Sequence, residues 1–310
     1  MRVLVTGADG FVGGWLLQAL AGAGHVATAA VRPGSPALEA GLGVPVVPLE
    51  LTDGASVGAA VAGAPDAVVH LAAVASNHAA RQDPGWAWTV NAAGTARLLE
   101  ALAVLRDRGA DPLALVVSSG EVYGAGEPRP RREADPCLPA SPYAASKVAA
   151  EVAAGEVGRR TGLRVIVARP FTHTGPGQAA TFALPGFAAR IRAAARRGEH
   201  TVPTGNLHPV RDILDVRDVV RAYVALLERG VPGETYNVAS GVGRPLADLF
   251  AALAERLGAA VEPAPDPALV RRSDLPHLVG DPAKLAAATG WRPALPLDRT
   301  LQDLIDAQAD

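Results

Sequence analysis

The sequence predicts an α/β protein built on a doubly wound parallel sheet, with a smaller, discontinuous lobe toward the C-terminus. Three observations predict it. Short apolar runs alternate with longer amphipathic or alanine-rich segments through the first half, a glycine-rich turn joins the first run to the first helical segment, and the alternation weakens after Arg169-Pro170. Strands covered by crossover helices on both faces are buried throughout, and so read as continuous apolar runs.

The apolar runs at 3–5, 26–31, 44–49, 67–71, 113–117 and 165–168 are the predicted strands. Helices are predicted between them, notably at 11–23, 86–105 and 143–161. One further unit follows. Asp215 is placed as an N-cap with Asp218 at the third helical position, then a helix over 219–227 and a strand over 233–238. The proline-rich remainder carries short helices at 246–257 and 282–288. The predicted division is a dinucleotide-binding sheet domain over 1–170, returning at about 211–240, and a substrate lobe from 171–210 and 241–310.

Bulk properties narrow the function. With 29 basic and 31 acidic residues among 310, net charge −2, no global field draws the chain to nucleic acid or a membrane, so an anionic ligand must be held by local groups. Cys137 is the single cysteine, which precludes an intrachain disulfide or cysteine cluster and suits a reducing compartment. The apolar opening over 1–7 is too short for a secretory signal, and no apolar run approaches the roughly 20 residues that span a bilayer. A cytoplasmic enzyme is the expectation. His70, His78, His173, His200 and His208 show no metal-ligand spacing and are read as core or loop histidines, with His173 near the expected pocket.

The first chemical motif is Thr6-Gly7-Ala8-Asp9-Gly10-Phe11-Val12-Gly13, after a strand and opening a helix. Glycines there permit a tight turn and let a pyrophosphate approach the unpaired N–H groups of the helix N-terminus. Such a turn within a complete alternating unit marks a Rossmann-type dinucleotide site. Its second strand ends Ala30-Val31-Arg32-Pro33, with no carboxylate until Glu39. A carboxylate there would repel a 2′-phosphate, whereas Arg32 can pair with one. NADP(H) is therefore preferred over NAD(H), the alternative for Arg32 being a solvated surface arginine. Glu50 lies where adenine is expected and can accept from its amino group.

The second motif is Tyr143-Ala144-Ala145-Ser146-Lys147. Tyrosine and lysine four apart share a helix face, and a cation beside the phenol is expected to lower its pKa from about 10 toward neutrality. Ser118-Ser119-Gly120-Glu121 follows the fifth strand at the carboxyl edge of the sheet, where ligands bind, so a serine there can hydrogen-bond a reacting oxygen.

With these motifs, His70-Leu71-Ala72-Ala73 and Asn91-Ala92-Ala93-Gly94-Thr95, the chain resembles the extended short-chain dehydrogenase/reductase (NAD-dependent epimerase/dehydratase) family over its whole length. The resemblance implies Ser119 as the triad hydroxyl, Tyr143 as acid/base, and Lys147 as its activator and holder of the nicotinamide ribose. It also implies a cofactor pocket lined by Gly7, Gly10, Phe11, Val12, Gly13, Leu51, Leu71, Ala72, Ala73, Asn91, Val117, Pro170 and His173. In the family the helices at 86–105 and 142–161 form a four-helix dimer contact, which implies a homodimer.

The second half resembles GDP-4-keto-6-deoxymannose reductases in Arg169-Pro170-Phe171-Thr172-His173, Arg211-Asp212 and Arg271-Arg272-Ser273-Asp274-Leu275-Pro276, with GDP-mannose 4,6-dehydratases sharing much of this. A nucleotide diphosphate needs cations, and Arg211 and Arg271 are the candidate clamps, with Arg272 and Arg217 weaker and surface ion pairing the alternative for each. Thr172 replaces the usual asparagine at the substrate. Glu121 matches the dehydratases' proton-abstracting glutamate, but Gly120 lacks the acidic or hydroxyl partner that assists water loss. The resemblance therefore implies NADPH-dependent reduction of a nucleotide-activated 4-keto-6-deoxy sugar. Its alternatives are a 4-epimerase or 4,6-dehydratase that retains its cofactor, and a non-catalytic dinucleotide sensor.

Overall fold

A computed structural model describes residues 1–269 and 275–308. The first half alternates as β1 (Arg2–Thr6), α1 (Phe11–Gly22), β2 (Val26–Val31), α2 (Ala37–Ala40), β3 (Val46–Pro48), α3 (Gly54–Val61), β4 (Ala67–His70), α4 (Asn77–Gln82), α5 (Pro84–Trp88) and α6 (Gly94–Asp107). Then come β5 (Leu113–Val117), α7 (Pro142–Thr161) and β6 (Arg164–Pro170). The second half runs β7 (Thr172–Thr174), α8 (Ala183–Arg197), β8 (Thr201–Thr204), β9 (Val210–Asp215), α9 (Val216–Arg229), β10 (Thr235–Val238) and β11 (Gly243–Pro245). It closes with α10 (Leu246–Arg256), β12 (Glu262–Pro265), β13 (His277–Leu278), α11 (Ala283–Thr289) and α12 (Leu297–Asp306).

Seven strands pair in the order β10-β6-β5-β4-β1-β2-β3, every pair parallel. The order reverses between β1 and β4, which opens a crevice at the carboxyl ends of those strands. Successive residues alternate between the two faces. Val3, Val5, Leu113, Leu115 and Ile166 pack with α1 and α9, while Leu4, Ala114, Val116, Val165 and Val167 pack with α3, α6 and α7. Each large apolar side chain fully buried in these layers contributes roughly 1.5–3 kcal/mol. A separate apolar cluster joins α8, α10 and α12 through Phe187, Ile191, Leu253 and Leu304. The doubly wound Rossmann-type sheet with a smaller lobe is thus the observed architecture.

Two local expectations are corrected. The helix expected over 86–105 is interrupted: α5 ends at Trp88, a π-helical turn covers Thr89–Ala93, and α6 starts at Gly94. Its extra residue points Asn91 inward, where it bonds Val74 and Ser146. The third strand is shorter than the apolar run at 44–49 and covers Val46–Pro48. Asp215 does cap α9, accepting from the Arg217 N–H at 2.8 Å. Asp218, at the third helical position as expected, accepts from the N–H groups of Ala294 (3.0 Å) and Leu295 (2.9 Å), tying the C-terminal segment to α9.

Candidate active site

The glycine turn sits at the switch point. Gly7 has φ +67°, and a Cβ there would lie 2.9 Å from the Ala72 backbone. A Cβ on Gly13 would fall 2.5 Å from the Ala8 carbonyl oxygen. Gly10 is the N-cap of α1 and supplies no side-chain cap, so the first N–H groups of that helix face the crevice as unclaimed donors. That cradle of bare backbone suits a dinucleotide pyrophosphate. Phe11, the first residue of α1, stacks on His173, with centroids 6.4 Å apart and planes 7° apart. Burial holds the His173 ring below its ordinary pKa, and its Nδ1 lies 3.0 Å from the Phe171 carbonyl oxygen.

Below the turn runs a buried polar chain. Thr95 Oγ1 donates to the Asn91 carbonyl at 2.6 Å, so His70 Nε2, 3.0 Å from Thr95 Oγ1, must carry the ring proton. His70 Nδ1 is then an acceptor for the Thr6 hydroxyl at 2.8 Å, and Thr6 accepts in turn from the Ala72 N–H. Burial and the nearby Lys147 charge push His70 down to about 3, which keeps it neutral and this tautomer fixed. His70 is a core histidine that locks β1, β4 and the Asn91 turn together.

The candidate trio meets at the carboxyl end of β5. Ser141 caps α7, accepting from Ala144 N–H at 3.1 Å, and Pro142 occupies its first turn, which sets Tyr143 at the mouth of the site. Ser119 Oγ accepts from the Glu121 N–H at 3.1 Å, capping a 3₁₀ turn over Gly120–Tyr123. The expected activation of Tyr143 is reversed. Burial, then the Glu121 carboxylate, raise the phenol above its usual pKa, and only the neighbouring Ser119 hydroxyl opposes them. Lys147 Nζ instead donates to the Val117 carbonyl at 2.8 Å, and burial pushes the ammonium down to about 8. Tyr143 thus rests as a protonated phenol, the form a proton donor needs.

A helper that sequence reading missed is Asn77, whose Nδ2 donates to Glu121 at 2.7 Å while its buried Oδ1 stays without a partner. Gly120 is sealed from behind, because a Cβ there would press on the Phe171 ring at 3.0 Å. Asn77 stands in the run Val74-Ala75-Ser76-Asn77-His78-Ala79-Ala80-Arg81, where no local motif marks it.

Residues 3–239 match the NAD dependent epimerase/dehydratase family. The chain belongs to that family. It is 37% identical to the GDP-6-deoxy-D-mannose reductase of Pseudomonas aeruginosa, over 98% of this chain and 96% of the relative. It is 33% identical to the UDP-glucose 4-epimerase of Mycolicibacterium smegmatis, over 96% and 95%. The solved structure of RMD from Pseudomonas aeruginosa complexed with NADPH superposes with a TM-score of 0.84 at 35% identity, covering 99% of this chain and 98% of that one.

Within this epimerase/dehydratase family member the remaining candidates fall as follows. Arg32 is exposed just beyond the carboxyl end of β2. Glu50 Oε1 accepts from both the N–H (2.8 Å) and the hydroxyl (2.7 Å) of Thr52, which lowers its pKa and leaves Oε2 as the atom able to meet a base. Leu51 is buried against Gly94, and Val117 and Pro170 are buried at the strand ends, whereas Leu71, Ala72 and Ala73 are half-buried beside Gly7. Thr172 is exposed at the start of β7. Arg211 donates to the carbonyls of Val210 (3.0 Å) and Leu275 (2.6 Å). Arg217 is not a clamp: it pairs with Asp215 (2.7 Å) and Asp303 (2.8 Å) and lies over the Trp15 ring. Arg271 and Arg272 lie outside the described residues. Among the described residues no group of three or more His, Cys, Asp or Glu is placed to hold a metal.

Behind the trio lies a second buried network. The Ser118 hydroxyl donates to Glu151, which also takes Arg169 bidentately at 3.0 and 2.6 Å. Arg169 Nη1 donates to the Tyr123 hydroxyl at 2.9 Å, and Tyr123 donates to Asn237 Oδ1 at 2.7 Å. Glu151 stands one helical turn beyond Lys147, and its charge opposes the burial that depresses the lysine. The ends of β5, β6 and β10 are thereby fastened to α7.

Proposed function

We propose that this protein reduces the ketone of a nucleotide-activated 4-keto-6-deoxy sugar, with NADPH as reductant. The observation that carries the reading is the pairing of a protonated Tyr143 beside Ser119 with a Gly120 whose only free direction is filled by Phe171. Ketone reduction needs one acid at the carbonyl oxygen. Water elimination needs a second acid, and Gly120 has no side chain to supply it. The similarity to a GDP-6-deoxy-D-mannose reductase and to a structure complexed with NADPH supports both substrate and cofactor.

When bound, the dinucleotide supplies the hydride that turns the ketone carbon into an alcohol carbon. Ser119 donates a hydrogen bond to the carbonyl oxygen and aligns it with Tyr143. Tyr143 delivers its phenolic proton to that oxygen, and Lys147, anchored at the Val117 carbonyl, uses its remaining N–H groups to hold the cofactor ribose and steady the phenolate left behind. Asn77 holds the Glu121 carboxylate, which is placed to accept from a sugar hydroxyl. Gly7, Gly10 and Gly13 hold the pyrophosphate, Arg32 the 2′-phosphate, and Arg211 with Arg271 the substrate diphosphate. The sheet domain over 1–170 and 211–240 takes the cofactor, and the lobe from 171–210 and 241–310 takes the sugar nucleotide.

Trp86 (45% exposed), Trp88 (46%), Val104 (46%) and Val152 (65%) sit on α5, α6 and α7, and support a homodimer through those helices. No helix among the described residues is long and apolar enough to cross a membrane, and with the lone thiol this supports action in the cytoplasm.

The test is a panel of GDP-, dTDP-, UDP- and CDP-4-keto-6-deoxy sugars with NADPH, followed by cofactor absorbance and product mass. One NADPH oxidised per sugar reduced is the expected result. Isomerisation without net cofactor use would establish an epimerase. Dehydration of GDP-mannose in a manner abolished by Glu121→Gln would establish a dehydratase.

A further inference from the structure

The end of β2 carries no carboxylate of its own, but the fold brings one there from the neighbouring turn. Gly7 and Ala8 donate to the Ala30 carbonyl at 2.9 and 3.4 Å, which holds the glycine turn against the last residues of β2. The next residue, Asp9, accepts through Oδ2 from the Ser35 hydroxyl at 2.7 Å. Ser35 closes the tight turn that leaves β2. Its N–H donates to the Arg32 carbonyl at 3.0 Å, and Pro33 and Gly34 (φ +82°) are the central residues that a type II turn selects. Ser35 Oγ also accepts from the Ala37 N–H at 3.3 Å, so the hydroxyl is engaged on both sides and fixes the Asp9 carboxylate.

These bonds join the two segments between which a cofactor's adenosine ribose lies. In a doubly wound fold the pyrophosphate rests on the glycine turn, and the ribose reaches from it toward the end of the second strand. Asp9 stands on the turn and Arg32 at the strand end, both exposed, with Ser35 linking them. Their charges make opposite demands. Arg32 attracts a 2′-phosphate, whereas a carboxylate accepts from a free 2′-hydroxyl and repels a phosphate. Ser35 is neutral, so its bond orients Asp9 without cancelling the negative charge, and Oδ1 is left to accept from a ribose hydroxyl. An uncharged acceptor would tie the two turns together equally well. A carboxylate at this place does something more, because it acts on whatever anion Arg32 attracts.

We propose that Asp9 is a second determinant of cofactor choice, accepting from the adenosine 2′-hydroxyl of NADH and opposing the 2′-phosphate of NADPH. The preference set by Arg32 is thereby partial, and the chain binds both dinucleotides. This rests on the reading of the glycine turn and the end of β2 as the dinucleotide site.

The experiment measures NADPH and NADH binding by calorimetry to wild type, Asp9→Asn and Ser35→Ala, with thermal melting in parallel. Asp9→Asn keeps an acceptor for Ser35 and removes the charge. It is expected to raise the ratio of NADPH to NADH affinity at least about fivefold, the scale of one exchanged hydrogen bond, with melting unchanged. Ser35→Ala keeps the charge but frees the carboxylate, so NADH should weaken more than NADPH and the ratio should rise by less. A ratio unchanged or lowered in either variant would overturn the proposal, as would a wild type that binds NADPH and no NADH. A wild type that binds neither dinucleotide would overturn it together with the cofactor reading. No sugar nucleotide enters the measurement, so its outcome stands apart from the reductase assignment, which turnover of 4-keto sugars decides.

Discussion

Replacing Glu151 by Gln keeps the shape of the side chain and removes one buried charge. Arg169, 6% exposed, would then face only neutral oxygens: the new side-chain amide, the Tyr123 hydroxyl and the Glu133 carbonyl. Leaving one member of a buried ion pair uncompensated costs roughly 3–5 kcal/mol, against a total stability of roughly 5–15 kcal/mol. At roughly 2 °C per kcal/mol for a chain of this size, the full penalty is a fall in melting of roughly 6–10 °C, an upper bound because the amide retains some hydrogen bonding. A second effect follows from charge alone. Lys147 is held at about 8 by burial against the opposing pull of Glu151. Removing that pull destabilises the ammonium, so its pKa drops and the alkaline limb of kcat/KM moves to lower pH. The paired change Glu151→Leu with Arg169→Met should recover much of the melting temperature, since no lone charge remains, yet leave the alkaline limb displaced. Calorimetry and pH profiles of the three proteins make the test. A Glu151→Gln enzyme that melts with wild type and keeps its alkaline limb would refute the coupling.

Three other outcomes are expected. Tyr143→Phe should lower turnover by at least about 100-fold while leaving NADPH binding intact by fluorescence titration, and near wild-type activity would remove Tyr143 as the acid. Arg32→Ala should weaken NADPH roughly tenfold or more and NADH little, because only the former carries the phosphate that Arg32 is proposed to pair with; equal losses would assign Arg32 no role in cofactor choice. Val152→Glu, placed on the most exposed of the apolar helix residues, should convert a dimer into a monomer in sedimentation at micromolar concentration, and an unchanged dimer would locate the interface elsewhere.

The sheet was legible because its strands are buried on both faces: 26–31 and 113–117 coincide with β2 and β5, and the strand expected over 233–238 joins the sheet as β10. The second half was harder. Helix α8 opens from Phe182 without a side-chain cap and so lacks a start signal, although Leu184, Phe187, Ala188 and Ile191 keep a helical spacing, while β12 carries two prolines, which read against a strand. At the site, Tyr143, Lys147 and Ser119 stand in motifs that local spacing can carry. Asn77 meets Glu121 from 44 residues away, and Arg169 meets Glu151 across 18, contacts that only tertiary packing creates. Local sequence also misleads about charge. Arg217 has the composition of a phosphate ligand, but the fold brings Asp303 to it, and Lys147 shares a helix face with Tyr143 yet turns to a strand carbonyl.

The π-helical turn at Thr89–Ala93 has a bearing on how this chain tolerates change. An α-helix advances about 100° per residue, so one surplus residue offsets the angular phase of α6 from that of α5 by about a quarter turn. Excising a single residue there would yield a smoother helix with better backbone geometry. It would also rotate Asn91 off Val74 and Ser146, or else swing Leu98, Leu99 and Leu102 out of the sheet layer they fill. Both partners cannot be served by an unbroken helix. Length at this point is therefore as much a part of the site's specification as residue identity: point substitutions along the exposed side of the turn should be borne easily, whereas one-residue deletions should not.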